Sequence, residues 1–173
     1  MSDKPSVHAS AVKVGGCAVL IRGPSGSGKS RLAFDLILSG RSGQLPPAIL
    51  VGDDRVRLDT EGQYLLVRPV SELAGLIEIR GLGIRRCEFT GEAKVGLVVD
   101  LQAPDAKRLP PPEALQTEIF GVELPRIPVG SDFSPLPLVV AALTTASGLK
   151  SVNDLGDCVK GIGNHITSTL ATD

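Results

Sequence analysis

The sequence predicts an α/β domain, and three observations lead to this prediction. Short apolar runs typical of strands recur from residue 7 to residue 101. A glycine-rich loop at residues 23–30 separates one of these runs from a segment with helical periodicity. A second apolar helix is predicted after residue 134. A chain of 173 residues of which 42% are hydrophobic can bury a core of its own, so we expect residues 1–173 to form a single domain.

The first forty residues predict a hairpin, a glycine-rich loop and a helix. Val7–Val14 alternates loosely between apolar and polar residues, which indicates a strand. Gly15-Gly16 is a turn signal, and the apolar run Cys17–Ile21 after it predicts a buried strand. The apolar residues of Arg31–Leu38 have helical spacing, and we expect Gly40 to cap the C-terminus of this helix.

Further strands and turns follow along the chain. Thr60-Glu61-Gly62 separates two strand-like runs and indicates a hairpin, and Gly81-Leu82-Gly83 indicates a tight turn. Ala103–Pro112 is rich in proline and is predicted to be a loop. The predicted strands of this region are Ala48–Val51, Val56–Leu58, Tyr64–Val67, Leu76–Ile79 and Val95–Leu101.

Two helices are predicted in the last forty residues. Ser134 and Pro135 fit the N-cap and first position of a helix that runs to about Ala146. Ser151, with Asp154 three residues later, resembles a capping box, and it predicts a last helix that reaches about Leu170.

Charge and composition exclude several classes of function. The chain has 18 basic and 19 acidic residues, so general electrostatic binding to nucleic acid or to a membrane surface is not expected. Aromatic residues make up only 3% of the chain, which argues against a surface that stacks single-stranded bases. The longest apolar stretches, Cys17–Ile21 and Leu136–Leu143, are far shorter than the roughly 20 residues of a membrane span. Because the N-terminus also lacks a secretory signal, we expect a cytoplasmic protein without membrane partners.

The loop at residues 23–30 matches the pattern G-x-x-x-x-G-K-[ST] in full and is the most specific motif in the chain. Its glycines let successive backbone N–H groups turn toward an anion, and the following helix N-terminus adds unsatisfied donors. In such loops the lysine binds the β- and γ-phosphates and the hydroxyl residue binds Mg²⁺. The predicted phosphate-binding residues are Gly23, Pro24, Ser25, Gly26, Ser27, Gly28, Lys29 and Ser30.

Two neighbouring carboxylates, Asp53 and Asp54, end the buried apolar run that follows the first helix. Carboxylates at the end of a strand near a phosphate loop can hold Mg²⁺, or one of them can accept the proton of an attacking hydroxyl. The residues themselves leave both roles open. The chain contains no N-K-x-D pattern for guanine and no arginine-rich lid, so it is predicted to be an ATP-dependent phosphotransferase or ATPase with an unknown acceptor.

Four segments taken together resemble one family, the bacterial HPr kinase/phosphorylases. They are Val7-His8, the phosphate loop, Asp53-Asp54-Arg55-Val56 and the string Glu78-Ile79-Arg80-Gly81-Leu82-Gly83-Ile84, which is close to the family's signature. The resemblance runs in order from about Val7 to about Val129 and covers only the family's catalytic domain. In this respect the chain resembles the short forms of α-proteobacteria.

The resemblance implies a fold, an activity and partners. The implied fold is a P-loop-containing α/β domain similar to the core of phosphoenolpyruvate carboxykinase, with a mixed sheet and flanking helices. The implied activity is phosphorylation of a serine on the phosphocarrier protein HPr, or on a paralogue of HPr, with ATP and Mg²⁺. The reverse activity is phosphorolysis, in which phosphate enters and pyrophosphate leaves. Family members assemble as hexamers, so a homo-oligomer is expected.

The resemblance also implies roles for individual residues. Lys29 would bind the β- and γ-phosphates, and Ser30, Glu78 and Asp54 would hold or support the metal. Asp53 would accept the serine proton and return it in the reverse direction. His8 would lie near the transferred phosphate, and Arg108 matches the position of the family's catalytic arginine.

The chain departs from the family in one loop, and two other functions fit the phosphate-binding motif. Residues Pro128–Phe133 contain no arginine, whereas the family usually has a Pro-Val-x-x-Gly-Arg loop associated with dephosphorylation. The kinase direction is therefore better supported by the sequence than phosphorolysis. The alternatives are a P-loop kinase of a small molecule and a non-catalytic ATP-sensing regulatory module.

Overall fold

A computed structural model describes residues 4–145, and these residues form a mixed α/β fold as predicted. The described residues contain a nine-stranded sheet, a two-stranded ribbon and two α-helices. The last predicted helix, from Ser151 to about Leu170, lies outside the described residues. No helix within residues 4–145 is long and apolar enough to cross a membrane.

The helices are α1 (Lys29–Arg41) and α2 (Pro135–Thr144), and short 3₁₀ turns cover Ser71–Leu73 and Pro112–Leu115. The strands are β1 (Val7–His8), β2 (Ser10–Val14), β3 (Cys17–Arg22), β4 (Ala48–Gly52), β5 (Arg55–Glu61), β6 (Tyr64–Pro69), β7 (Leu76–Ile79), β8 (Gly83–Arg86), β9 (Ala93–Leu101), β10 (Gln116–Ile119) and β11 (Val122–Val129).

The large sheet has the order β1-β5-β6-β9-β3-β2-β4. Strand β11 pairs with the end of β9 and with β10, while β6 pairs with the beginning of β9. The pairs β3–β9 and β9–β11 are parallel, and the other pairs of this sheet are antiparallel, so the sheet is mixed. The carboxyl ends of β3, β9 and β11 therefore lie at the same edge.

The sheet separates two hydrophobic clusters because alternate residues of a strand point to opposite faces. On β3, Val19 and Ile21 belong to the cluster that includes α1 and α2, whereas Ala18 and Leu20 belong to the cluster on the other face. Both clusters consist mainly of fully buried aliphatic side chains. The phosphate loop, which follows β3, is thus carried by a strand that is buried on both faces.

The first predicted strand is divided in the structure, and the division shapes the site. His8 ends β1, which pairs with β5, whereas Ser10 begins β2, which pairs with β3 and β4. The chain crosses between the two sets of strands at Ala9, whose N–H donates to the carbonyl of Asp54 at 3.1 Å. His8 and Ser10 consequently flank the turn between β4 and β5.

The other predicted elements agree with the structure, with five differences. Gly40 does not cap α1, which continues to Arg41 with Ser42 at its C-cap. A Cβ on Gly40 would lie 2.7 Å from the backbone nitrogen of Ala48, so the position needs glycine for close approach of the chain. Helix α2 ends at Thr144 rather than near Ala146. Strands β8, β10 and β11 were not among the predicted strands. Strands β8 and β10 are short and largely exposed, so they lack an apolar run, and β11 contains Pro125 and Pro128, which are unusual within a strand.

A network of charges ties the strand of the phosphate loop to its neighbours. Asp100, near the end of β9, accepts hydrogen bonds from Arg22 at 2.7 and 2.8 Å and from Arg126 at 2.5 Å. Arg126 also donates to Asp105 at 2.7 Å. Burial alone would raise the pKa of Asp100, but the hydrogen bonds and charges of the two arginines outweigh it and hold the pKa below its usual value. Because Arg22 directly precedes the loop, this network fixes where the loop begins.

We expect Asp100→Asn to lower the free energy of unfolding by about 1–3 kcal/mol, because the guanidinium groups of Arg22 and Arg126 lose a charged acceptor that is largely buried. Asp105→Asn is the matched control and should cost about 0–1 kcal/mol, since its side chain is 48% exposed. Urea denaturation measures both.

The same interaction makes stability depend on pH. The pKa of Asp100 is lower in the folded protein, so its contribution to stability is present above the ordinary value of 3.8 and is lost as the pH falls through the lower folded pKa. Equal stability of wild type and Asp100→Asn at pH 7 would contradict this role.

Candidate active site

The phosphate loop joins β3 to α1, and its backbone has the conformation that the motif requires. Gly26 and Gly28 have φ angles of 79° and 98°, which residues with a Cβ rarely adopt. Gly28 is the N-cap of α1, and no side chain caps the helix there. The first N–H groups of α1 are therefore donors for an anion at the helix N-terminus.

Lys29 is held against the loop by its own ammonium group. The side chain is buried, and Nζ donates to the carbonyl oxygens of Gly23 at 2.9 Å and Pro24 at 3.0 Å. Burial lowers the pKa of Lys29, and the nearby charges of Asp54 and Asp53 partly oppose this effect. A desolvated cation beside the glycine-rich turn is suited to binding a phosphate.

Asp53 is a buried carboxylate with hydrogen bonds to three parts of the chain. It is 4% exposed and accepts from the hydroxyl of Ser10 at 2.6 Å and from the hydroxyl of Ser30 at 2.8 and 2.9 Å. The backbone N–H of Glu78 donates to its Oδ2 at 3.0 Å. Asp53 thereby joins β2, the start of α1 and β7 at one point.

Asp54, the next residue, has the opposite environment. Its side chain is 66% exposed, and its Oδ1 accepts a hydrogen bond from Nε2 of His8 at 3.1 Å. Its φ angle of 64° lies in the left-handed region, which aspartate tolerates better than most residues with a Cβ. The two neighbouring carboxylates are thus separated into a buried one and one that lines a cleft.

The cleft has a volume of about 820 Å³ and contains most of the predicted site. It is lined by Ser25 to Ser30 of the phosphate loop, and by His8, Asp54 and Glu78. The structure therefore brings these groups together, with Asp53 behind Ser30. Arg108 is exposed in the loop after β9 and is not among the described residues that line the cleft.

Sequence reasoning did not identify Ser10 or Arg80 as site residues. Ser10 is fully buried and binds Asp53, but a single serine in a strand gives no signal in the sequence. Arg80 lines the cleft, and its Nη2 lies 4.0 Å from the position that a Cβ on Gly26 would take. Its place within the string 78–84 was the only available indication.

The oxygen ligands of the cleft fit a magnesium ion that is shared with phosphate groups. Within residues 4–145 no group of three or more His, Cys, Asp or Glu is arranged to hold a metal alone. Mg²⁺ commonly takes only one or two protein carboxylates, with phosphates and water as its other ligands. The hydroxyl proton of Ser30 points to Asp53, which leaves the oxygen free to act as a ligand, and Glu78 offers an exposed carboxylate in the same cleft.

Comparison with known proteins agrees with this arrangement. A profile of the family described as HPr Serine kinase C-terminal domain matches residues 1–143. The HPr kinase/phosphorylase of Enterococcus faecalis is 39% identical over 143 residues, which are 75% of this chain and 43% of the relative. That of Mycoplasma mycoides is 31% identical over 150 residues, which are 79% of this chain and 46% of the relative.

A solved structure, the Hpr(Ser) kinase/phosphatase from Coxiella burnetii, matches with a TM-score of 0.63 and 29% identity over 79% of this chain and 91% of that chain. The chain spans less than half the length of the curated relatives it matches. The family match covers most of the chain, including the phosphate loop and the cleft residues. The chain therefore belongs to the HPr serine kinase C-terminal domain family.

Proposed function

We propose that the chain is an enzyme that transfers the γ-phosphoryl group of ATP to a serine of HPr and removes it again by phosphorolysis. One observation supports this most directly: Ser30 of the phosphate loop is hydrogen-bonded to Asp53, and the adjacent cleft holds His8, Asp54 and Glu78. The names of the relatives, HPr kinase/phosphorylase, supply the substrate and both directions. The likeness of the core to phosphoenolpyruvate carboxykinase, a cytoplasmic location and assembly as a hexamer stay predictions.

The chemistry consists mainly of positioning and charge neutralisation. The serine Oγ attacks the γ-phosphorus, the bond from this phosphorus to the bridging oxygen breaks, and ADP leaves. Lys29 and the N–H groups at the start of α1 bind the phosphates, and Ser30 and Glu78 would hold Mg²⁺. When bound, Mg²⁺ supplies charge neutralisation at the phosphate oxygens. In phosphorolysis a phosphate oxygen attacks the phosphoserine phosphorus, and the bond from this phosphorus to the serine oxygen breaks. The serine oxygen regains its proton, and pyrophosphate is the other product.

The contacts favour Asp54, supported by His8, as the group that exchanges this proton. Asp53 already accepts from three donors, the hydroxyls of Ser10 and Ser30 and the N–H of Glu78, so most of its lone-pair sites are occupied. The carboxylate of Asp54 is exposed to the cleft, and among the described side-chain contacts it is bonded to His8 alone. The family resemblance assigned this proton transfer to Asp53. The two assignments predict different effects of substituting Asp53 and of substituting Asp54.

Incubating the chain with labelled ATP, Mg²⁺ and purified HPr tests the proposed function. Label is expected on a serine of HPr, and addition of phosphate to the product should release pyrophosphate. Lys29→Ala is the control and should lose nucleotide affinity and transfer together, because the buried ammonium group is part of the phosphate site. Label on a small metabolite would instead indicate a small-molecule kinase. Tight ATP binding without any transfer would indicate an ATP-sensing module.

The pair Asp53→Asn and Asp54→Asn separates the two carboxylates. Asp54→Asn should retain Mg-ATP binding while kcat falls by roughly 10²–10⁴-fold, because proton transfer is lost. Asp53→Asn should weaken Mg-ATP binding and lower stability by about 1–3 kcal/mol, because the side chain loses its charge and one of the two acceptor oxygens that Ser10, Ser30 and the N–H of Glu78 share. Calorimetric binding and single-turnover transfer measure the two effects. If Asp53→Asn binds normally but does not transfer, while Asp54→Asn transfers normally, Asp53 is the proton acceptor.

Arg80 and Arg108 are alternative sources of a guanidinium for the transferring phosphoryl group. Because Arg80 lines the cleft beside the loop and Arg108 does not, Arg80→Ala should lower kcat by about 10²-fold or more. Arg108→Ala is then expected to have a small effect, unless HPr binding brings its loop to the cleft. Transfer rates at saturating ATP and HPr provide the comparison. A large loss for Arg108→Ala alone would restore the role that the family resemblance implies for Arg108.

A further inference from the structure

The cleft has two chemically different ends, and the proposed phosphoryl transfer uses only one of them. At one end lie His8, Asp54 and Glu78, which are polar and exposed. At the other end the apolar part of the lining comes from Phe34 of α1 and from Pro135 and Leu136 at the start of α2. No role in binding phosphate, metal or a serine follows from these apolar side chains. Their place in a cleft that begins at a phosphate loop therefore needs its own explanation.

The apolar end is a fixed part of the fold. Phe34 and Leu136 are half-buried and pack against the hydrophobic cluster beneath α1 and α2. Phe34 follows Ser30 by four residues, so it lies on the same face of α1 and about one turn, roughly 5.4 Å, farther along the axis. A group attached to a phosphate bound at Ser30 can reach this ring without any rearrangement of the helix.

The topology places Asp54 and α2 on opposite sides of the phosphate loop. Asp53 and Asp54 follow β4, whereas α2 follows β11. In the sheet, β3 with its phosphate loop stands between these two sides, with β2 toward β4 and β9 toward β11. A triphosphate whose γ-phosphate lies near Asp54, and which extends across β3, reaches the N-terminus of α2 with its other end.

We propose that Phe34, Pro135 and Leu136 form the base-binding wall of the nucleotide site, and that Asp35 accepts a hydrogen bond from the exocyclic amino group of the base. The inference rests on the proposed function, because it takes the ligand to be ATP. A purine is flat and largely apolar on its faces, which suits one aromatic ring with two aliphatic neighbours. Asp35 lines the same end, its side chain is 34% exposed, and the Nε of Arg31 lies 4.0 Å from its carboxylate.

A comparison of ATP with tripolyphosphate, both with Mg²⁺, tests the base wall without any variant. The two ligands present the same phosphates, but only ATP has a base. The wild-type chain should bind ATP about tenfold or more tightly, since stacking and apolar contact with a base contribute this much in other proteins. Equal affinities would overturn the base wall and leave the phosphate site intact. Failure to bind either ligand would instead contradict the proposed function.

Variants assign the effect to these side chains. Phe34→Leu keeps an apolar core contact, and Leu136→Ala removes most of the aliphatic wall, so both should lose about tenfold in ATP affinity with unchanged affinity for tripolyphosphate. Leu38→Ala is the matched control, because Leu38 is an exposed leucine of α1 that does not line the cleft. Equal losses for both ligands would overturn the proposal, as would an increased KM for HPr with unchanged ATP binding.

The proposed contact of Asp35 with the base is tested separately, with a nucleotide that lacks the exocyclic amino group. The wild-type chain should bind ATP about tenfold more tightly than purine riboside triphosphate, which lacks the amino group, because that group donates to a carboxylate. Asp35→Ala, which has no acceptor in its side chain, should lose this preference. If wild type and Asp35→Ala discriminate equally between the two nucleotides, Asp35 does not contact the amino group.

Discussion

The buried carboxylate of Asp53 is the contact on which the arrangement of the site depends. A charged side chain that is 4% exposed is tolerated only when hydrogen bonds replace its lost water. Here the donors are the hydroxyls of Ser10 and Ser30 and the backbone N–H of Glu78, which come from β2, α1 and β7. The hydrogen bonds that stabilise the buried charge therefore also hold these three elements together. The hydroxyl of Ser30 and the carboxylate of Glu78 are held beside the phosphate loop as a consequence.

The charged groups beside the phosphate loop differ in their exposure to solvent. Lys29 is buried, and its pKa is lowered by that burial, yet its ammonium group already has two carbonyl partners. Asp54 remains exposed beside His8. At the C-terminal end of β3, Arg22 donates a hydrogen bond to Asp100 of β9. Fixed dipoles and charges of this kind do not have to reorganise when charge develops in a transition state.

Much of the site could be predicted because its residues lie in continuous motifs. The eight residues of the phosphate loop and the aspartate pair lie in short strings whose positions have a physical meaning, whereas Glu78 was assigned through the family resemblance. Ser10 and Arg80 could not be predicted in this way, since each contributes through a contact between elements distant in the chain. The opposite exposure of Asp53 and Asp54 was also hidden, because neighbouring residues of one type give identical sequence signals.

By itself, the sequence determined the strand–loop–helix unit of the phosphate site, the α/β class and the positions of most strands. These depend on local periodicity, on glycine conformations and on helix termini, which are properties of short segments. Only the tertiary structure decided that β1 and β2 separate at Ala9, that Gly40 continues α1, and which carboxylate is buried. It also decided that α2 completes the cleft opposite Asp54. These features depend on how strands pair and helices pack across long sequence separations, and local sequence does not specify those pairings.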